Sequence, residues 1–189
     1  MTRRAFLPIA VAALGAAALV VAVALLQRGA ADGRGAPARL VAEVVNDHLR
    51  VLAAARPVEL ESSDAHVLKP WLAARLDFAP AVPTAAGTAL RLRGGSVGYV
   101  FDRKSAVVVY GLRLHELTLL AFRAAGLAWP TAGPGGGTPA LERSSERGFH
   151  AVLWRAGDLG YALVSDSNPE ELAELAKQLA GATTGEAPR

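Results

Sequence analysis

Ser62-Ser63-Asp64 followed by His66 brings hydroxyl, carboxylate and imidazole into five consecutive residues. Those are the types that nucleophilic hydrolysis combines, but a triad needs side chains converging on one point, which sequence neighbours rarely provide. Glu59, Glu61, Asp64 and Asp77 offer paired carboxylates for acid–base work on a glycosidic bond; their setting predicts charged loop residues instead. His48, His66, His115 and His150 have no two members at i, i+3 or i, i+4, so no helix presents a ready ligand pair. Gly133-Pro134-Gly135-Gly136-Gly137 lacks the Lys-Ser or Lys-Thr of a phosphate loop, and there is no Gly-x-Ser-x-Gly elbow. The expectation is a chain without catalytic residues, metal or cofactor, and not an enzyme. The alternative is a membrane-anchored envelope hydrolase, which a nucleophile within reach of a base in one cleft would favour.

Two further clusters concern binding. Arg91, Arg93, Arg103, Lys104, Arg113 and Arg123 make the strand region locally basic, yet Leu90 and Leu92 alternating with Arg91 and Arg93 describe the wet face of a sheet. His66, Lys69, Pro70, Trp71, Asp77 and Phe78 form the candidate interaction or structural motif. Lys69 and Asp77 bracket an aromatic run that serves either as a ligand-facing rim or as a pinned corner; a buried Trp71 favours the corner.

These residues depend on where the chain is held. Ala5–Leu26 is a run of 22 residues without a charge, passing through Leu14 and Val20. A helix of that length reaches roughly 33 Å, enough for a bilayer core of about 30 Å. Leu25-Leu26-Gln27-Arg28 suits signal cleavage poorly, so the run reads as an uncleaved anchor within residues 1–28. Of 20 Lys and Arg, Arg3, Arg4 and Arg28 flank the anchor; the other 17 balance 17 Asp and Glu, none of which precedes Asp32. The net charge of +3 thus belongs to the membrane flanks, and nucleic acid is not an expected partner. With no cysteine, redox chemistry does not choose the compartment.

Residues 29–38 read as a flexible linker, 39–181 as one domain and 182–189 as a disordered tail. Pro37 opens a helix to about Ala55, with Val41, Val44, Val45, Leu49 and Leu52 on its apolar stripe. Glu43, Asp47 and Arg50 take the other face, and His48 lies at the stripe's edge as a surface or half-buried residue. A short strand, a turn of helix near Trp71–Leu76 and a loop punctuated by Pro70, Pro80 and Pro83 follow. Leu90–Arg93 is predicted to turn at Gly94-Gly95 into a return strand through Val97, Tyr99 and Phe101. Strands at Ala106–Leu112 and Leu114–Phe122 come next, then a long mobile loop over Leu127–Arg147. Phe149–Trp154 and Tyr161–Ser165 form a last hairpin. Asn168, Pro169 and Glu171 signal a capped helix that Gly181 ends. The fold class is α+β: an N-terminal single transmembrane helix, then an antiparallel sheet packed against N- and C-terminal helices.

Asn46-Asp47-His48-Leu49, Ser62-Ser63-Asp64, His66, Lys69-Pro70-Trp71, Leu76-Asp77-Phe78 and Pro80-Ala81-Val82 together resemble the extracytoplasmic portion of bacterial transmembrane anti-sigma factors. The likeness continues through Gly94-Gly95, Tyr99 and Val107–Tyr110 to Gly148-Phe149, Trp154 and the segment from Val164-Ser165-Asp166 to Glu170-Glu171-Leu172. It spans roughly Val41–Leu179. Family members carry a cytoplasmic zinc-binding helical domain before the membrane helix; here only Met1–Arg4 precede the apolar run and there is no cysteine.

The resemblance implies an N-terminus in the cytoplasm and a main domain outside the inner membrane, in the periplasm. The expected partners are the membrane and another envelope or regulatory protein. Direct contact with a sigma factor is not expected of this chain alone. The expected work is sensing or interaction in envelope signalling and transcription regulation.

Overall fold

The computed structural model describes residues 35–84, 87–129 and 140–184. The predicted anchor at Ala5, Leu14, Val20 and Leu26, most of the predicted linker, the middle of the Leu127–Arg147 stretch and the predicted tail beyond residue 184 lie outside the described residues. Among the described residues no helix is long and apolar enough to cross a membrane.

The order is α1 (35–53), β1 (Leu60–Glu61), α2 (Ala65–Ala73), β2 (Leu90–Val100), β3 (Arg103–Leu112), β4 (His115–Arg123), β5 (Glu142–Glu146), β6 (Phe149–Ala156), β7 (Leu159–Ser165) and α3 (Pro169–Thr184). Among the described residues seven strands form one antiparallel sheet, ordered β1-β2-β3-β4-β7-β6-β5. Two three-stranded meanders, β2-β3-β4 and β5-β6-β7, therefore meet along a single seam between β4 and β7.

Helices cover both faces. On one, Leu68 and Leu72 of α2 and Leu172, Leu175, Ala176 and Leu179 of α3 bury Val108, Tyr110, Leu119, Trp154 and Leu163. On the other, Leu40, Val41, Val44 and Val45 of α1 bury Val107, Val109, Leu120, Leu153 and Val164. The predicted α+β class with terminal helices on an antiparallel sheet is thus observed, as three layers. Coverage on both sides explains why Val107-Val108-Val109 and Leu119-Leu120 are continuous apolar runs instead of alternating ones.

Several expectations are corrected. Residues 35–38 are helical and not linker, with Pro37 in the first described turn, where its missing N–H costs little. Leu52 is exposed, while Asp47 and His48 are buried: the buried stripe of α1 is rotated toward Leu40, Val44, Asp47, His48 and Val51. Gly94-Gly95 is not a turn. β2 runs through it with a bulge at Arg93, and a Cβ on Gly94 would stand 2.1 Å from the Leu60 carbonyl oxygen. These glycines are needed because β1 presses against them, with Leu60 opposite Gly95 and Glu61 opposite Gly94. The bulge aims Arg93 over Gly111 to Glu116, 2.5 Å away on β4.

The second helix starts earlier than predicted because Asp64 caps it, its carboxylate accepting the His66 N–H at 2.8 Å. Pro70 lies inside this helix, on the exposed face one turn after His66, where the carbonyl it deprives of a donor meets water. The Leu127–Arg147 loop contains β5. At its start Trp129 packs on Phe122 and Gly160, under the Arg155 guanidinium. At the C-terminus Asn168 caps α3 by accepting from Glu170 and Glu171 N–H groups at 3.0 and 3.1 Å. The Glu171 carboxylate pairs with Arg113 and does not close a capping box. Gly181 does not end the helix: Thr183, one turn from Ala180, accepts the buried Trp154 indole N–H at 3.1 Å and holds the last turn in place.

Candidate functional site

Each candidate residue from the sequence has a defined place. Ser62, Asp64 and His66 form the cap of α2: Ser62 Oγ accepts the Asp64 N–H at 3.1 Å while Asp64 turns to the His66 backbone. The cluster is a helix start and does not converge as a triad. Trp71 is half-buried against the α2/α3-side core, its ring under the Arg75 guanidinium at 4.0 Å, so the fully buried indole expected there is corrected. Lys69 is half-buried, Pro70 and His66 are exposed, and Phe78 is half-buried beneath Arg123.

Asp77 shows what this block does. The Arg123 guanidinium donates to the Asp77 carboxylate at 2.9 Å and to the Asp77 carbonyl at 2.7 Å, and it also reaches Asp158 at 3.5 Å. Arg123, by donating to that carboxylate, holds the Asp77 carboxyl below its usual range. The end of β4 therefore ties down the loop after α2, and Lys104 adds a second tie by donating to the Arg75 carbonyl at 3.1 Å. Tyr110, fully buried, donates to the Pro83 carbonyl at 2.7 Å from inside the core. The block is a pinned corner of the fold.

The four histidines occupy separate places. His48 is buried against Thr118, His115 pairs with Asp166 at 2.9 Å, His66 faces solvent on α2, and His150 lies on β6. Among the described residues, no three His, Asp or Glu side chains gather to hold a metal ion.

One nucleophile–base pair does assemble, between a serine in the predicted Leu127–Arg147 loop and a histidine in the predicted Phe149–Trp154 strand. Arg147 and Gly148 both take positive φ, 52° and 83°, giving the two-residue turn whose twist matches a hairpin. That turn fixes Glu146 opposite Phe149 and hence Ser145 opposite His150. Ser145 Oγ lies 2.8 Å from His150 Nδ1. The hairpin tip is held to α1 by Arg147, which donates to Asn46 Oδ1 at 2.6 Å. Arg143, Ser144, Ser145, His150, Val152 and Pro169 line a cleft of about 250 Å³ between this hairpin and the start of α3. No family model, curated protein or solved structure matches the chain.

The signal that would have found this pair is the turn dipeptide. Arg147-Gly148 before Phe149 marks a two-residue hairpin, and residues two before and two after such a turn face each other across it. A second cleft, also about 250 Å³, lies between α1, residues 54–59 and β2. Its floor includes Asp47, whose carboxyl burial pushes up; Arg50, bound to it, opposes that shift.

Proposed function

We propose that this chain is a single-pass inner-membrane protein whose domain works outside the cytoplasm as a sensor or interaction module of the anti-sigma-factor type. The apolar Ala5–Leu26 run supports the tether. The observation that carries the interaction role is the outer edge of β2. β1 pairs with Gly94 and Gly95 alone, and beyond them β2 has no described strand neighbour on that side. Tyr99 and Phe101, 54% and 45% exposed, stand at this end of the strand. Its Ser96–Val100 stretch, uncharged and ending beside exposed aromatics, is a template for an extended segment of a partner.

Expression of the full chain should shift the output of an envelope-stress promoter, and the Tyr99→Asp/Phe101→Asp double variant should abolish the shift while keeping its far-UV spectrum. A reporter that works only outside the cytoplasm, fused after Arg189, should be active. An unresponsive promoter would sink the regulatory role, and an inactive reporter the topology. A second reading, a tethered hydrolase, has one observation in its favour, the contact between Ser145 and His150.

A further inference from the structure

The geometry points to Ser145 as an acyl-accepting nucleophile, with His150 its general base and Arg143 the group that faces developing negative charge, acting on small carboxylic esters. This rests on the hydrolase reading and assigns its site. Three independent features meet there. The Ser145 hydroxyl is exposed and within hydrogen-bond distance of an imidazole nitrogen, at the 2.8 Å separation proton transfer requires. Both side chains stand on paired strands whose register the Arg147-Gly148 turn fixes, so the pair is held by backbone and not by loop chance. Arg143, two residues from Ser145 on the same face of β5, makes no ion pair with another described residue, and it lines the same cleft.

In the reaction Ser145 Oγ bonds to the ester carbonyl carbon while its proton passes to His150 Nδ1. This requires the imidazole tautomer with hydrogen on Nε2. The carbonyl oxygen takes the negative charge beside Arg143. Collapse breaks the bond to the leaving alcohol, which takes the proton from His150 and departs, leaving Ser145 acylated. Water, deprotonated by His150, then releases the acid and restores the hydroxyl. A cleft of about 250 Å³ with Val152 and Pro169 in its walls fits a short acyl chain. No carboxylate among the described residues hydrogen-bonds His150, so nothing fixes its tautomer. The loss of such an orienting acid costs about 10⁴-fold in a serine protease, so acylation and deacylation are both slow here and the acyl group stays on Ser145 long enough to be mapped.

The test uses the full chain in detergent with 4-nitrophenyl acetate, following nitrophenolate release and mapping the acetyl group by peptide mass spectrometry. The expected result is acetylation of Ser145, abolished in Ser145→Ala, reduced about 100-fold in His150→Gln and at least about tenfold in Arg143→Gln. Ser63→Ala, remote from the cleft, should react like the parent. Circular dichroism confirms that each variant folds, which the exposed position of Ser145 permits. Acetylation of lysines without Ser145, or equal Ser145 labelling in His150→Gln, overturns the assignment. Ester turnover that survives in Ser145→Ala removes this site but keeps the hydrolase reading; no turnover and no adduct in the parent removes both.

Discussion

His48 Nδ1 and Thr118 Oγ1 are joined by a buried hydrogen bond of 2.8 Å that ties α1 to the centre of β4. The imidazole is fully buried, with Phe149 edge-on at 5.1 Å, and among the described residues its Nε2 has no hydrogen-bond partner.

This setting makes the domain acid-sensitive. Burial lowers the His48 pKa to about 4 from 6.5, against a smaller opposing pull from Asp166. The unfolded chain therefore binds the proton first. His48's contribution is complete above pH 6.5 and is lost as pH falls toward 4, to a total of about 3 kcal/mol. Asp47 acts with the opposite sign: its raised carboxyl pKa means that protonation on acidification relieves a cost of folding. Urea midpoints should fall between pH 7 and pH 4.5 in the parent, and His48→Gln should flatten that decline. A parent midpoint that rises over this range would show that the Asp47 effect dominates.

Gly94→Ala should destabilise the domain by about 3 kcal/mol or more. Its φ of 149° and the 2.1 Å approach of Leu60 leave no room for a Cβ. Gly126→Ala, at a left-handed turn with open space around it, should cost about 1 kcal/mol. Chemical denaturation of the two variants side by side checks the contrast, and equal costs would restore a simple turn at Gly94.

Thr183→Val should cost about 1–3 kcal/mol, since it strands the Trp154 indole N–H inside the core. Red-edge Trp fluorescence and the melting temperature should move together. An unchanged melting temperature would mean that the last turn of α3 is not bound to β6.

Trp71→Ala should cost about 1–3 kcal/mol, less than the ~3–5 kcal/mol of a fully buried aromatic, because the ring is only partly covered and its outer side meets Arg75. Arg123→Ala should instead increase protease cutting after α2, because it releases Asp77 and the Asp77 carbonyl together. A cleavage pattern identical to the parent's would remove the pinned corner.

The parts of this fold legible in sequence were those whose signal is local. The Asn168-Pro169 start of α3 and the valine run of β3 depend on neighbours a few residues away. What was not legible depends on partners far along the chain. His48 looks like an edge residue until Thr118, 70 positions later, supplies a buried acceptor or donor. Gly94-Gly95 has turn composition, and only the approach of Leu60 shows it to be a flattened strand. Thr183 carries a helix past Gly181 because Trp154 lies across from it. The pairing of Ser145 with His150 is hidden for a different reason: the glycine-rich stretch before Ser145 extends a loop pattern over β5, whose composition, Glu-Arg-Ser-Ser-Glu, has little apolar alternation.

The seam between β4 and β7 has a consequence for the order in which the molecule assembles. Within each meander, strands are joined by tight turns, so their ladders close short loops. The seam pairs Thr118 with Val164 and Arg123 with Leu159, closing a loop of roughly 40 residues. Two half-sheets can thus zip independently before they dock. α1 then crosses the join, with Val107 and Leu120 from one half and Ala151 and Leu153 from the other in the same cluster beneath it. A helix that packs on both halves gains its full contact only once they have met, so α1 is expected to close last. Slow amide exchange at the seam should depend on α1 staying docked.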